Sequence, residues 1–515
     1  MPIIFTYPHV LVHFIVTTEY IADIDKSLSN VSSKIWNPAF PYNAMVIGIL
    51  ITLMLVSSFP YPFTDPLEAY SSRSRSSDEF YQPSNQSLQL PRLYDIDLKT
   101  EIIFTGLDFP TSMAFLGPDD MLVLEKNTGQ VRRITNGTLL SSPLLDVNIS
   151  NQSESGMLGI AVEKNASEGG LPSTTDVFLY FTSSLNSGEN NQPFGNRLYK
   201  YQLIDNKLVN PKKLLDLPSW PGPAHNGGRI IIGPDNNVYL TIGNLNVNEK
   251  KTFLTRAENL KYGREPDGRA GILRVTQDGQ PIPNGSIIGD QYPLNLYYAY
   301  GIRNSFGIDF DPVTENLWDT ENGPSYGDEI NLVEPGFNSG WNKVQGIWEE
   351  AGGRFGPILT KLQEKELLVD FDGRGRYSNP EFTWIYNVGP TALKFLDSEK
   401  LGKEYENDMF IGDIHNGNVY HFELADNRTA LALDGPLKDK MANNRNEPKT
   451  TLFGQGFGGI TDIEVGPDGY LYILSVQLSS NGCILDEQDK PPCINYSSPY
   501  QGMIYRVVPE AVTSS

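Results

Sequence analysis

Cysteine, histidine and basic charge are all scarce in this 515-residue chain, and each shortage removes a class of function. There are two cysteines, Cys483 and Cys493, in the polar stretch NGCILDEQDKPPC. They permit one loop-closing disulfide, which contributes up to ~3 kcal/mol when formed. They are too few for a cysteine-built zinc module. Lys and Arg total 40 against 62 Asp and Glu, a formal charge of −22. A general nucleic-acid binder needs a basic face, so that class is excluded. No GxGxxG opens a βαβ unit, and GxxxxGK[ST] and HExxH are missing too. Nicotinamide, nucleotide and zincin chemistry therefore find no motif here. No segment sustains the 3.6-residue period of a long amphipathic helix.

Long apolar runs are also few. The one that stands out, Ala44 to Val56 (AMVIGILITLMLV), is 13 residues long. As a helix it would reach about 20 Å, short of the ~30 Å hydrocarbon core. It matches the apolar region of a signal peptide, with translation beginning at Met45, or a single anchor that borrows flanking residues. The organisation expected is an extension over 1–43, this signal- or anchor-like segment over 44–58, and a Ser/Pro-rich linker over 59–92. A folded body over 93–509 and a short tail over 510–515 complete it. Asn-x-Ser/Thr sequons recur at Asn85, Asn136, Asn148, Asn151, Asn165, Asn284, Asn427 and Asn495. With the cysteine pair they point to an extracellular or cell-surface protein, exported or held by one N-terminal anchor.

What is plentiful is glycine (47), proline (36) and tyrosine (26), the composition of a turn-rich β protein. Between Leu93 and Pro509 a theme recurs about six times: a strand, a turn of the form G-P-D-[GN]-x, then L-Y-[IL]. GGRIIIGPDNNVYLTIGN and ITDIEVGPDGYLYILS are its clearest copies. Each is a hairpin joining two buried strands. Radial repetition of antiparallel sheets is how a β chain of this size disposes of its edges. The expected fold is all-β, a six-bladed β-propeller with long inter-strand loops; two stacked sandwiches are the alternative.

Histidine bookkeeping narrows the chemistry. Beyond the N-terminal region only His225, His415 and His421 remain. His421 sits in the alternating strand VYHFEL and reads as structural. His415 stands in the turn DIHNG. His225 opens HNGGRIII at a strand entrance, where a glycine pair leaves room for a ligand, and is the candidate general base. Glu154 precedes another apolar strand; Arg303-Asn304 follow Tyr-Gly-Ile, and Arg suits carboxylates through its planar fork. Gly323-Pro324 with Asp328-Glu329 (ENGPSYGDEINL) suggest a hard oxygen site for calcium, though not with EF-hand spacing.

Taken together, ESGMLGIAV, HNGGRIIIGPDNNVYLTIGN, GILRV, YGIRNSFGIDFDP, ENGPSYGDEINLVEPGFNSGW and GPDGYLYIL resemble the soluble quinoprotein glucose/sorbosone dehydrogenases. The resemblance implies a six-bladed propeller with pyrroloquinoline quinone (PQQ) and calcium on one face. It implies an aldose sugar as substrate, a lactone as product and a separate electron acceptor. His225 would take the sugar hydroxyl proton, and Arg303 and Asn304 would contact cofactor and substrate. Glu154 would face the substrate, Gly323 and Pro324 would hold calcium through their carbonyls, and Glu329 would serve a second calcium. The chain departs from the pattern at two places. A lysine is replaced near His415 or Asn416, and two arginines are missing around Gly459-Ile460-Thr461-Asp462, which leaves His415 and Thr461 facing the cofactor. Three lost charge-assisted hydrogen bonds would cost roughly 4–9 kcal/mol unless other cations, such as Lys394 or Arg445, substitute. The competing readings are a non-catalytic propeller binding carbohydrate or protein, and a calcium-dependent lactone hydrolase.

Overall fold

Strands dominate because most apolar residues alternate or run in blocks of five to seven between Gly, Pro and Asp. A computed structural model describes residues 90–165, 174–185, 191–245, 251–347, 368–477 and 501–510. All belong to the second of the chain's two units, Ser87–Ser515. The N-terminal extension, the apolar segment, most of the linker and both cysteines lie outside the described residues. Helix among the described residues is confined to short 3-10 turns, and none is long and apolar enough to cross a membrane.

Among the described residues the strands form six sheets, whose first strands are Pro110–Gly117, Met157–Asn165, Ile230–Ile232, Ser305–Phe310, Pro390–Phe395 and Gly459–Val465. Within each, the next strands in sequence follow antiparallel. The second strands are the most buried. Val238–Ile242, Leu317–Glu321, Met409–Asp413 and Leu471–Val476 have no exposed residue. Such a strand is covered by a strand on each side and a sheet on each face, so apolar runs replace alternation. Apolar clusters fill the spaces between successive sheets. One joins Leu122 and Val131 to Ile160 and Leu179; another joins Met113 and Met121 to Leu474 and Ile504, linking the sixth sheet to the first. The ring is sealed by Leu98–Leu107, which pairs antiparallel with Gly502–Pro509. This is a β-propeller arrangement, not a pair of stacked sandwiches.

The repeat in the sequence is a repeat in geometry. In the third sheet Gly233 N–H donates to Asn237 O (2.9 Å) and Asn236 takes φ +61°; in the sixth, Gly466 N–H donates to Tyr470 O (2.9 Å) and Gly469 takes φ +79°. The tyrosine of each L-Y then donates its hydroxyl to the turn aspartate: Tyr239 to Asp235 at 3.0 Å, Tyr472 to Asp468 at 2.9 Å. An arginine completes both, Arg274 beside Asp235 and Arg506 beside Asp468. Loop length goes into outer additions. Phe337–Asn338 and Arg376–Tyr377 extend the third sheet, and Phe382–Trp384 and Met441–Ala442 the fourth.

Candidate functional site

Antiparallel pairing returns the end of each second strand to the rim where the first strand began. A cavity of about 280 Å³ opens at that rim. Every sheet contributes to its wall, through Thr111, Leu158, Arg229, Phe306, Thr391 and Thr461 at or beside the starts of the six first strands. The size is near the lower end of small-molecule sites (~300–1,000 Å³).

His225 is buried in this wall at φ +60°. Two glycines let the chain pass. Gly227 takes φ +60°, and a Cβ on Gly228 would come within 2.7 Å of Leu158 Cβ. The ring Nδ1 lies 2.6 Å from Asn244 Oδ1, an acceptor, so Nδ1 carries the hydrogen and Nε2 keeps its lone pair. Burial, then the nearby Arg303 charge, pushes the imidazolium pKa down to about 3. His225 is therefore a neutral imidazole at physiological pH. Its amide donates to Glu154 Oε2 (2.7 Å), which also accepts from Asn304 Nδ2 (3.2 Å). Burial raises the Glu154 pKa, opposed by those bonds and by the charges of Arg303 and Lys126. Glu154 is thus half-buried and held in place by these two bonds.

Arg303 is also buried. Its amide donates to Glu321 Oε1 (2.7 Å), Nη1 donates to Asn322 O (2.9 Å), and the guanidinium lies 5.5 Å from the Trp341 ring centroid. Gly323 and Pro324 line the cavity. Asp328 fixes their turn: its carboxylate accepts from the amides of Gly323, Val388 and Gly389, each at 2.8 Å. Asp328 is committed to backbone and Glu329 is buried against Gln345, Gly346, Asn331 and Ser339; neither lines the cavity. Asp328 therefore stands behind the turn and supports it, while Glu329 is bonded elsewhere. The oxygen beside the Gly323 carbonyl is instead Asn387 Oδ1, which is buried without a partner while Asn387 Nδ2 donates to Gly323 O (3.2 Å). Asn304 Oδ1 and Arg229 Nε are likewise buried without partners. His415 and Thr461 line the cavity, and His421 pairs with Asp408 (2.8 Å) away from it.

The suggested substitute cations are elsewhere. Lys394 Nζ is held by Glu464 (3.2 Å) and Asp309 (3.4 Å), and Arg445 lies over the Tyr386 ring in a separate cavity. Two cations that sequence reasoning did not single out line the wall, Arg229 and Lys126. Arg229 bonds Asp462 and Glu464. Lys126 is 2% exposed, with Nζ 5.5 Å from the Phe109 ring centroid, and burial brings its pKa down to about 7 despite Glu154 nearby. A positional signal was available. Lys126 is the first residue after a second strand, as Asn322 and Ile414 are, and all three line the cavity.

Fold and site define a class: a β-propeller with a polar, cation-lined pocket on the ring's axis. The glucose/sorbosone dehydrogenase model matches residues 107–485, and the chain belongs to that family. It is 24% identical over 417 residues to an uncharacterised protein of Synechocystis sp. (78% of this chain, 89% of that one). It is 29% identical over 433 residues to quinoprotein glucose dehydrogenase B of Acinetobacter calcoaceticus (73% and 84%). Among solved structures, the PQQ-bound aldose sugar dehydrogenase of Streptomyces coelicolor superposes with a TM-score of 0.53 at 21% identity, over 80% of this chain and 98% of the other.

Proposed function

We propose that this protein is a six-bladed quinoprotein that oxidises an aldose sugar to its lactone, with PQQ as hydride acceptor and calcium beside it. The observation that carries the reading is His225, a neutral imidazole with its Nε2 lone pair kept, set in one cavity with Glu154, Arg303 and Asn304. The donor set suits both groups. Arg303 and Lys126 offer positive charge to carboxylates, and the Gly323 and Pro324 carbonyls with the unpartnered Asn387 Oδ1 offer hard oxygens to calcium. PQQ supplies a two-electron acceptor, and the metal stabilises the charge that develops on it. His225 Nε2 takes the sugar hydroxyl proton, Glu154 and Asn304 position that hydroxyl, and Asp328 holds the calcium turn rigid. Glu329 is read as part of a second calcium site.

Five sequon asparagines among the described residues, Asn136, Asn148, Asn151, Asn284 and Asn427, are exposed. They support export, with residues 44–58 as signal or anchor and an unidentified electron acceptor outside the cell. A second reading, a non-catalytic carbohydrate- or protein-binding propeller, is favoured by Thr461 and His415 standing where the resemblance expects cations. The lactone-hydrolase reading needs several carboxylates around one ion; the named walls of the cavity supply one, Glu154. Dye reduction with aldoses, after reconstitution with PQQ and calcium, tests the proposal. Activity is expected to fall at least ~10²-fold in His225→Ala, the scale of general-base catalysis. Undiminished turnover in that variant, or no turnover in the unmodified protein, overturns it.

A further inference from the structure

We propose that a second cavity, between the fourth and fifth sheets, is a subsite that selects an aldose whose second sugar ring carries an anionic group. The inference rests on the sugar-oxidation reading above and names the substrate class of that site. The cavity holds about 190 Å³, below the ~300 Å³ of a complete small-molecule site. It adjoins the central one, since Asn387 lines both. The turn after Met409–Asp413 is shared in the same way: Ile414 and His415 face the central cavity, and Asn416 faces this one. A sugar with its reducing end at His225 can therefore extend outward along the rim. The wall suits such a ring. Asn416, Asn418 and Gln455 line it, and Tyr386 stands 44% exposed beside them. An aromatic face next to amide donors and acceptors matches the C–H face and hydroxyl edge of a sugar. Asp413, behind the wall, accepts from Asn416 Nδ2 (3.2 Å) and Tyr420 Oη (2.8 Å) and fixes both. Arg445 and Lys449 supply charge, and among the described residues no carboxylate lines the cavity. That reverses the balance of the chain, with its 62 acidic and 40 basic residues. Arg445 lies over the Tyr386 ring and Lys449 Nζ donates to Asn446 Oδ1 (3.0 Å); both residues are exposed, so an incoming anion meets them at the surface. Glu447, the acid of the same loop, accepts from the Asn443 amide (2.7 Å) and Asn444 Nδ2 (2.6 Å). Two like charges on a wall that carries no opposite one favour an anionic ring over a neutral ring.

The test compares cellobiose with two anionic relatives, cellobiouronic acid and cellobiose 6′-phosphate. Their kcat/KM is read by dye reduction with the full chain reconstituted with PQQ and calcium, and their Kd by calorimetry in calcium alone. At least one anionic sugar should exceed cellobiose by roughly three- to thirtyfold, the combined scale of two exposed ion pairs. Which of the two does so tells whether the anion is a carboxylate or a phosphate ester. Rising salt should narrow the preference. In the double variant Arg445→Gln, Lys449→Gln the ratio of anionic to neutral sugar should fall to near one. A merely structural effect would weaken all three sugars together and leave that ratio alone. Equal values for the three sugars in the unmodified protein, or a preference that survives in the double variant, overturns the subsite and leaves sugar oxidation standing. Oxidation of glucose with no disaccharide accepted overturns it too. Preferential binding of an anionic sugar without any oxidation keeps the subsite and rejects the dehydrogenase reading, and neither binding nor oxidation of any sugar overturns both. If the double variant does not fold, the salt series decides, and a preference that salt leaves unmoved rejects the two cations.

Discussion

His225 shows how one side chain records its surroundings. Its native pKa near 3 lies below the ordinary value near 6.5, so between those pH values the unfolded chain binds a proton that the folded one refuses. The stability it contributes is full above about pH 6.5 and is lost as pH falls toward 3. Between pH 6.5 and 4.5 the unmodified protein should lose roughly 2–3 kcal/mol more than His225→Gln, read by urea denaturation at both pH values. Equal losses would mean the imidazole is not buried as described. The sequence marked His225 through its glycine pair, a local feature. It did not show that Glu154, 71 residues earlier, would accept the His225 amide, because only the packing of two sheets sets that distance.

At the scale of elements, the first strands are tied around the ring's interior by charge. Arg229 at the third sheet bonds Asp462 and Glu464 of the sixth, Glu464 meets Lys394 of the fifth, and Lys394 meets Asp309 of the fourth. Asp462 also accepts from the Met113 amide (2.8 Å) and Ser112 Oγ (3.1 Å) of the first. Arg229→Met strands the fully buried Asp462 and should cost roughly 3–5 kcal/mol in urea denaturation; adding Asp462→Asn should restore much of it. If the single variant unfolds at the same urea concentration as the parent, the network is not structural. This network also explains why Lys394 is unavailable to the cavity. Strand position gave its neighbourhood, but which carboxylates capture it depends on the adjoining sheets.

Over the whole molecule, ring closure by Leu98–Leu107 and a ligand site on the axis make stability and binding one problem. Calcium with PQQ at about a hundred times its Kd should add ~2.7 kcal/mol and raise the melting temperature by a few degrees. A melt that responds to a neutral sugar but not to PQQ favours the binding module. The sequence by itself determined the hairpins, since G-P-D-[GN] turns and L-Y-[IL] strands are short-range chemistry, and it carried the family motifs at His225, Arg303 and Gly323. It also fixed the scarcity of cations near His415 and Thr461. Only the tertiary structure decided which charges face the axis. Lys126 lines the cavity, Lys394 is captured between sheets, and Asp328 stands behind the Gly323 turn. The reason is physical. Backbone turns depend on a few adjacent residues, whereas the direction and charge partners of a side chain are set by strands dozens to hundreds of residues away.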